Sequence, residues 1–108
     1  MPDNKASDEA YEKALTIDSN NVFVLNNYAY YLSLRKEKLT RAEQMSKHSN
    51  ELSPKNDSYE DTYGWILYQM GKLEDAKKWI EKAMEDGGKN SSVILEHYGD
   101  ILYKLGDT

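Results

Sequence analysis

YGWILYQMGKLEDAKKWIEKA, residues Tyr63 to Ala83, decides the fold. Its first half is an apolar, aromatic run that stops at Gly71. Its second half places Ala76, Ile80 and Ala83 at i, i+4 and i+7, the spacing of one helix face. Glycine between two helical runs ends the first with a left-handed turn at little steric cost. Two partial echoes flank the stretch: LNNYAYYLSLRKEKLTRAEQ at Leu25–Gln44 and LEHYGDILYKLGD at Leu95–Asp107. Tyr63-Gly64 and Tyr98-Gly99 are 35 residues apart, and Tyr28-Ala29 lies another 35 upstream. Self-similarity at this period marks a stacked helical-hairpin repeat, in which no unit buries its apolar face alone.

Working outward, periodicity and capping residues predict helices over Asp8–Ile17, Val22–Leu34, Thr40–Leu52, Asp57–Met70, Leu73–Glu85 and Ser92–Leu105. Asp18-Ser19-Asn20-Asn21 suits a turn followed by an N-cap. Ser53-Pro54 closes the third helix, because the residue before proline is pushed out of helical geometry. Asp57 and Glu60 are spaced as a capping box. The short connections make neighbouring helices antiparallel.

A chain of 108 residues is one small domain. With 39% apolar and 31% charged residues it has the composition of a solvated protein. No apolar run approaches the roughly 18 residues of a membrane span, so membrane insertion is not expected. Cysteine is absent, which removes disulfides, thiolate metal sites and cysteine nucleophiles together. The formal charge of −5 argues against a general nucleic-acid surface. Arg35, Lys36, Lys38 and Arg41 form a local basic run, expected to be a solvated turn. No signal peptide opens the chain, and cytoplasm and periplasm both stay open. Met1-Pro2 precedes a segment that already reads as helix, which suggests a piece excised from a longer protein.

The chain resembles the tetratricopeptide repeat family. Tyr63, Leu67 and Ile80 stand where that family keeps large residues. Gly64, Ala76 and Ala83 stand where it keeps small ones, and Gly71 falls at its inter-helix turn. Small residues there let paired backbones approach closely. An earlier unit matches with Leu25, Tyr28, Ala29 and Leu32, then with Ala42, Ser46, Ser49 and Pro54 after one inserted residue, but carries Lys36 where glycine is preferred. A last half-unit supplies Leu95, Tyr98, Gly99, Leu102 and Gly106. Ser7, Tyr11 and Ala14 fit the second helix of a preceding half-unit. The implied division is 5–21, 22–56, 57–91 and 92–108. The implied fold is an all-α, right-handed superhelical array of antiparallel helix pairs, and the tone of the pattern is bacterial. The other helical-hairpin family of this period binds RNA and needs a basic groove, which these residues do not supply.

The resemblance implies a concave groove lined by the first helix of each pair and used to bind a protein, as a peptide or a helix. The matching positions include Asn26, Asn27, Tyr30, Asp61, Thr62, Trp65, Tyr68, Glu96, His97 and Asp100. Tyrosine and tryptophan give large contact area at low entropy cost. Relatives that bind chaperone tails grip a carboxylate with cations. The corresponding positions here are Asn26, Tyr30, Thr62, Val93 and His97, and Asp61, Glu96 and Asp100 would repel it, so such tails are not expected as partners. A basic or amide-rich ligand is.

Glu96, His97 and Asp100 are the one compact cluster of ligand types and fall short of a zinc set, so no metal or cofactor is expected. No serine sits in a nucleophile elbow, and Gly87-Gly88 lacks the context of a phosphate loop, so no enzyme is expected. The alternative function is self-association. Leu95, Tyr98, Leu102 and Leu105 on the last helix, and Tyr11 and Leu15 on the first, are apolar residues at uncapped ends of the array, and two chains could pair them as a homodimer.

Overall fold

Short polar turns divide the chain, and the computed structural model describes residues 4–106. Among these the helices are α1 (Asn4–Ile17), α2 (Val22–Arg35), α3 (Leu39–Leu52), α4 (Asp57–Gln69), α5 (Leu73–Glu85) and α6 (Ser92–Leu105), with a 3₁₀ turn at Gly88–Asn90 before α6. No strand occurs among the described residues. α2 packs on α3 and α4 on α5 as antiparallel hairpins, and α3 packs on α4 to join them. The result is an all-α solenoid, 42 × 27 × 22 Å, elongated because each helix packs mainly on its neighbours in sequence.

The caps explain the boundaries. Asn21 Oδ1 accepts from the Val24 amide and starts α2. The capping box expected of Asp57 and Glu60 does not form. Asn56 is the N-cap of α4, its side chain accepting from the Tyr59 amide at 3.1 Å, and Glu60 is buried. An Asn one residue earlier already satisfies the orphan amide, so Asp57 begins the first turn, where its charge suits the helix dipole. α6 starts at Ser92 as expected, with the Ser91 side chain accepting from the Ile94 amide as its N-cap.

At the end of α4 the Gly71 amide donates to the Tyr68 carbonyl and the Lys72 amide to the Leu67 carbonyl. The end of α2 is bonded in the same way: Lys36 to Ser33 and Glu37 to Leu32. Lys36 therefore takes glycine's place, at φ 57°. The basic run around it is not simply solvated. Arg35 makes two 3.0 Å contacts with Asp8, and Arg41 pairs with Glu12 at 2.8 Å, so both tie α1 to the α2–α3 hairpin.

Two apolar clusters form the interior. One joins Leu15, Leu25, Tyr28, Ala29, Leu32, Ala42, Met45 and Ile66. The other joins Leu67, Ala76, Ile80, Ala83, Ile94 and Ile101. Leu15 lies in the first cluster and is buried, which withdraws it as a self-association residue. Gly64 marks a close crossing of α4 on α5. A Cβ there would sit 2.7 Å from Ile80 Cδ1 and 3.3 Å from the Ala76 carbonyl oxygen. Gly99 occupies the corresponding place in α6, yet a Cβ there would meet nothing within 4 Å. The close approach expected at Gly99 is absent because no helix among the described residues crosses α6 on that side.

Gly64→Val should therefore cost about 1–3 kcal/mol by overpacking and visibly lower the thermal midpoint followed by circular dichroism, whereas Gly99→Val should change stability by less than about 0.5 kcal/mol. Equal losses for the two variants would contradict the crossing argument.

Candidate functional site

α4 lies between α2 and α6 and touches both. One face of α4 is thus the floor of a groove, with α2 and α6 as walls. Asp61, Thr62 and Trp65 point toward this side, but they are 6%, 4% and 9% exposed. His97 of α6 is just as buried. Its Nδ1 lies 2.9 Å from Asp61 Oδ1, and its ring stacks on Trp65 with centroids 4.0 Å apart. Tyr68, half-buried, stacks on Trp65 at 4.6 Å. Asp61, His97, Trp65 and Tyr68 are therefore packed in one layer as the floor, and none of them is a free side chain in the groove. The physical reason is that α6 comes close enough for its inward histidine to find the carboxylate of α4.

The rest of the expected groove set is placed differently. Asn26 and Tyr30 are half-buried, while Asn27, Glu96 and Asp100 are exposed. Burial first, then the Asp61 and Glu96 carboxylates, hold the Tyr30 hydroxyl above its ordinary pKa. The expected cluster of Glu96, His97 and Asp100 is split, since His97 turns inward and its neighbours face solvent. Among the described residues no group of three or more His, Cys, Asp or Glu side chains could hold a metal ion. Thr62 Oγ1 donates to the Ser58 carbonyl, so its proton is already engaged. Nothing in this arrangement points to catalysis.

Two clefts open along the groove. The first, about 370 Å³, lies at the N-terminal ends of the helices between Asn26 and Tyr30 of α2, Asp57 and Asp61 of α4, and Val93 of α6. The second, about 270 Å³, lies at their C-terminal ends between Lys36, Tyr68, Gln69 and Lys104. Large apolar side chains stay exposed on the two flanking helices: Phe23 (69%) and Leu34 (51%) on α2, the latter in a cleft toward α1 beside Tyr11 and Tyr31, and Val93 (48%) and Tyr103 (72%) on α6.

Two family models, each described as tetratricopeptide repeat, match residues 10–44 and 62–85. The chain belongs to the tetratricopeptide repeat family. Type IV pilus assembly protein PilF of Pseudomonas aeruginosa is 36% identical over 101 residues, covering 93% of this chain and 40% of that protein. A TPR repeat-containing protein of the same organism is 29% identical over 68 residues, covering 63% of this chain and 12% of that protein. A solved structure of Pseudomonas aeruginosa PilF superposes with a TM-score of 0.81 at 32% sequence identity, covering 96% of this chain and 47% of that one. The chain thus spans less than half the length of these relatives. Among the described residues no helix is long and apolar enough to cross a membrane.

Within this tetratricopeptide array one recurring contact has no visible mark in the sequence. The tyrosine that repeats every 35 residues donates each time to a glutamate of the preceding helix: Tyr28 to Glu12 at 3.0 Å, Tyr63 to Glu43 at 3.3 Å and Tyr98 to Glu81 at 2.8 Å. Burial, reinforced by these carboxylates, pushes the Tyr28 and Tyr63 hydroxyls up to about 12. The glutamates precede their tyrosines by 16, 20 and 17 residues, mainly because they stand at different places along their helices, so no fixed spacing announces them.

Behind the floor, Glu60 is 1% exposed and 3.4 Å from Lys82. Burial, together with the nearby Asp86 carboxylate, pushes its pKa up to about 7, and Lys82 only partly offsets this. A carboxyl raised on folding stabilises the fold at acid pH. That contribution is complete below its ordinary value of 4.5 and is lost as pH rises through about 7. Glu60→Gln should therefore melt close to wild type at pH 4.5 and several degrees above it at pH 8. A variant that melts below wild type at pH 8 would contradict this assignment.

Proposed function

We propose that this tetratricopeptide chain is a non-catalytic module that holds a segment of another protein in the groove between α2 and α6. The observation that carries the reading is the exposure of Phe23, Val93 and Tyr103 on α2 and α6, the two helices that flank α4. Aromatic and aliphatic side chains left outward in one concave region are what a partner covers. Asn26, Asn27, Tyr30, Glu96 and Asp100 then form the polar lining, over the floor of Asp61, Thr62, Trp65, Tyr68 and His97. The division into two whole units, 22–56 and 57–91, between half-units belongs to the same reading. PilF is named for type IV pilus assembly, and this supports a partner among the components of such an assembly in a bacterium. The test uses wild-type protein and a Phe23→Ala/Tyr103→Ala variant as baits, with captured proteins quantified by mass spectrometry. Loss of pilus-assembly components by tenfold or more, with an unchanged circular dichroism spectrum, is the expected result. Equal recovery by both baits would refute the groove.

A second reading, self-association, is favoured by α6. Leu95 is 44% exposed, and Tyr98, Leu102 and Leu105 are half-buried beside the open side of Gly99. Tyr11 contributes less, since it stacks on Tyr28 with centroids 5.1 Å apart. Light scattering at high protein concentration should then give a dimer mass that Leu95→Glu/Leu102→Glu returns to monomer, and a monomer mass for the unaltered chain rules the reading out.

A further inference from the structure

The groove carries opposite charge at its two ends. At the N-terminal ends of α2, α4 and α6 the first cleft is bordered by Asp57 and Asp61, and Glu96 stands about one turn beyond the cleft-lining Val93 on α6. Asp61 is engaged by His97, while Glu96 is exposed and Asp57 half-buried. Asn26 adds a buried Oδ1 with no hydrogen-bond partner, an acceptor that neither lysine nor arginine answers in this cleft. At the C-terminal ends the second cleft is bordered by the exposed Lys36 and Lys104, with Tyr68 and Gln69 between them. The other cations nearby are committed elsewhere, Arg35 to Asp8 and Lys72 to Glu43. Glu37, exposed and 3.6 Å from Arg35, and the exposed Asp100, one turn before Lys104 on α6, are acids adjoining this end.

We infer that the groove takes an extended protein segment bearing a basic and an acidic side chain in a set order, the basic one against Asp57 and Glu96 and the acidic one against Lys36 and Lys104. This deepens the groove reading above and rests on it. Eight helical residues separate Glu96 from Lys104 on α6, a rise of roughly 12 Å. An extended chain covers that distance in about four residues, so the two charges should stand about four positions apart. An apolar residue between them would meet the Tyr30 and Tyr68 rings. Complementary charge of this kind sets orientation and excludes reversed partners more than it adds affinity. A ligand carrying negative charge alone would meet Asp57 and Glu96 and be rejected at that end.

The test is selection from a displayed library of random twelve-residue peptides against the whole chain. Wild type should enrich peptides with Lys or Arg and Asp or Glu about four apart, in one dominant order. The Asp57→Lys/Glu96→Lys/Lys36→Glu/Lys104→Glu variant should enrich the opposite order. It should bind the wild-type winners about tenfold more weakly, the scale of two exposed pairs turned from attraction to repulsion. Binders that are lost on Phe23→Ala/Tyr103→Ala but show no charge order would overturn this inference and leave the groove standing. Binders indifferent to Phe23 and Tyr103, or no binders at all, would overturn both.

Discussion

The crossing of α4 over α5 at Gly64 sets the geometry of the rest of the molecule. With Ile80 Cδ1 and the Ala76 carbonyl crowding the space where a side chain would begin, only hydrogen fits between the two backbones. Ala76, Ile80 and Ala83 then become inaccessible to solvent and close one apolar cluster. A hairpin held this tightly behaves as one body, and it presents the opposite face of α4 at a defined angle. That face is the groove floor. Were α5 held further off, the layer of Asp61, Trp65 and His97 would have no fixed backing.

The hairpins are joined by a second device. In each unit a tyrosine hydroxyl reaches back to a glutamate of the preceding helix. A buried phenol needs an acceptor, and an ionised carboxylate is a strong one. Glu12 accepts from Tyr28 with one oxygen and from Arg41 with the other, so α1, α2 and α3 meet on a single side chain. Directional contacts of this kind fix the turn from one hairpin to the next more sharply than apolar packing does.

The turns show how far backbone strain is tolerated. Lys36, Lys38 and Lys55 all adopt left-handed φ values, 57°, 47° and 61°, where a side chain is unfavourable by about 1–3 kcal/mol. Gly71 and Gly106 meet the same demand at 81° and 84° without a Cβ. The Lys36 turn keeps the bonding pattern of the Gly71 turn because the carbonyls at the end of α2 need donors in either case. Strain is thus accepted locally to keep the helix end satisfied. At Lys36 it also leaves a cation at the rim of the groove.

Helix positions, the hairpin pairing and the close approach at Gly64 were legible from residues alone, since they rest on local propensity and on a period that repeats within one chain. The capping of α4 was misread by one residue, because Asn56 and Asp57 can both cap and only the chain's path chooses. Side-chain positions on the groove were legible as a face but not as a surface. Trp65 on α4 and Tyr103 on α6 are both large aromatic residues, yet Trp65 is 9% exposed and Tyr103 72%, because His97 packs on the first and nothing described covers the second. Leu15 and Leu95 looked alike as end residues and separated for the same reason. What the sequence determined by itself is periodic and local: six helices, their turns and their small-residue crossings. The tertiary structure alone decided which rings are covered and which glutamate each tyrosine finds. Burial and ion pairing depend on distances between helices, and no spacing along the chain encodes those.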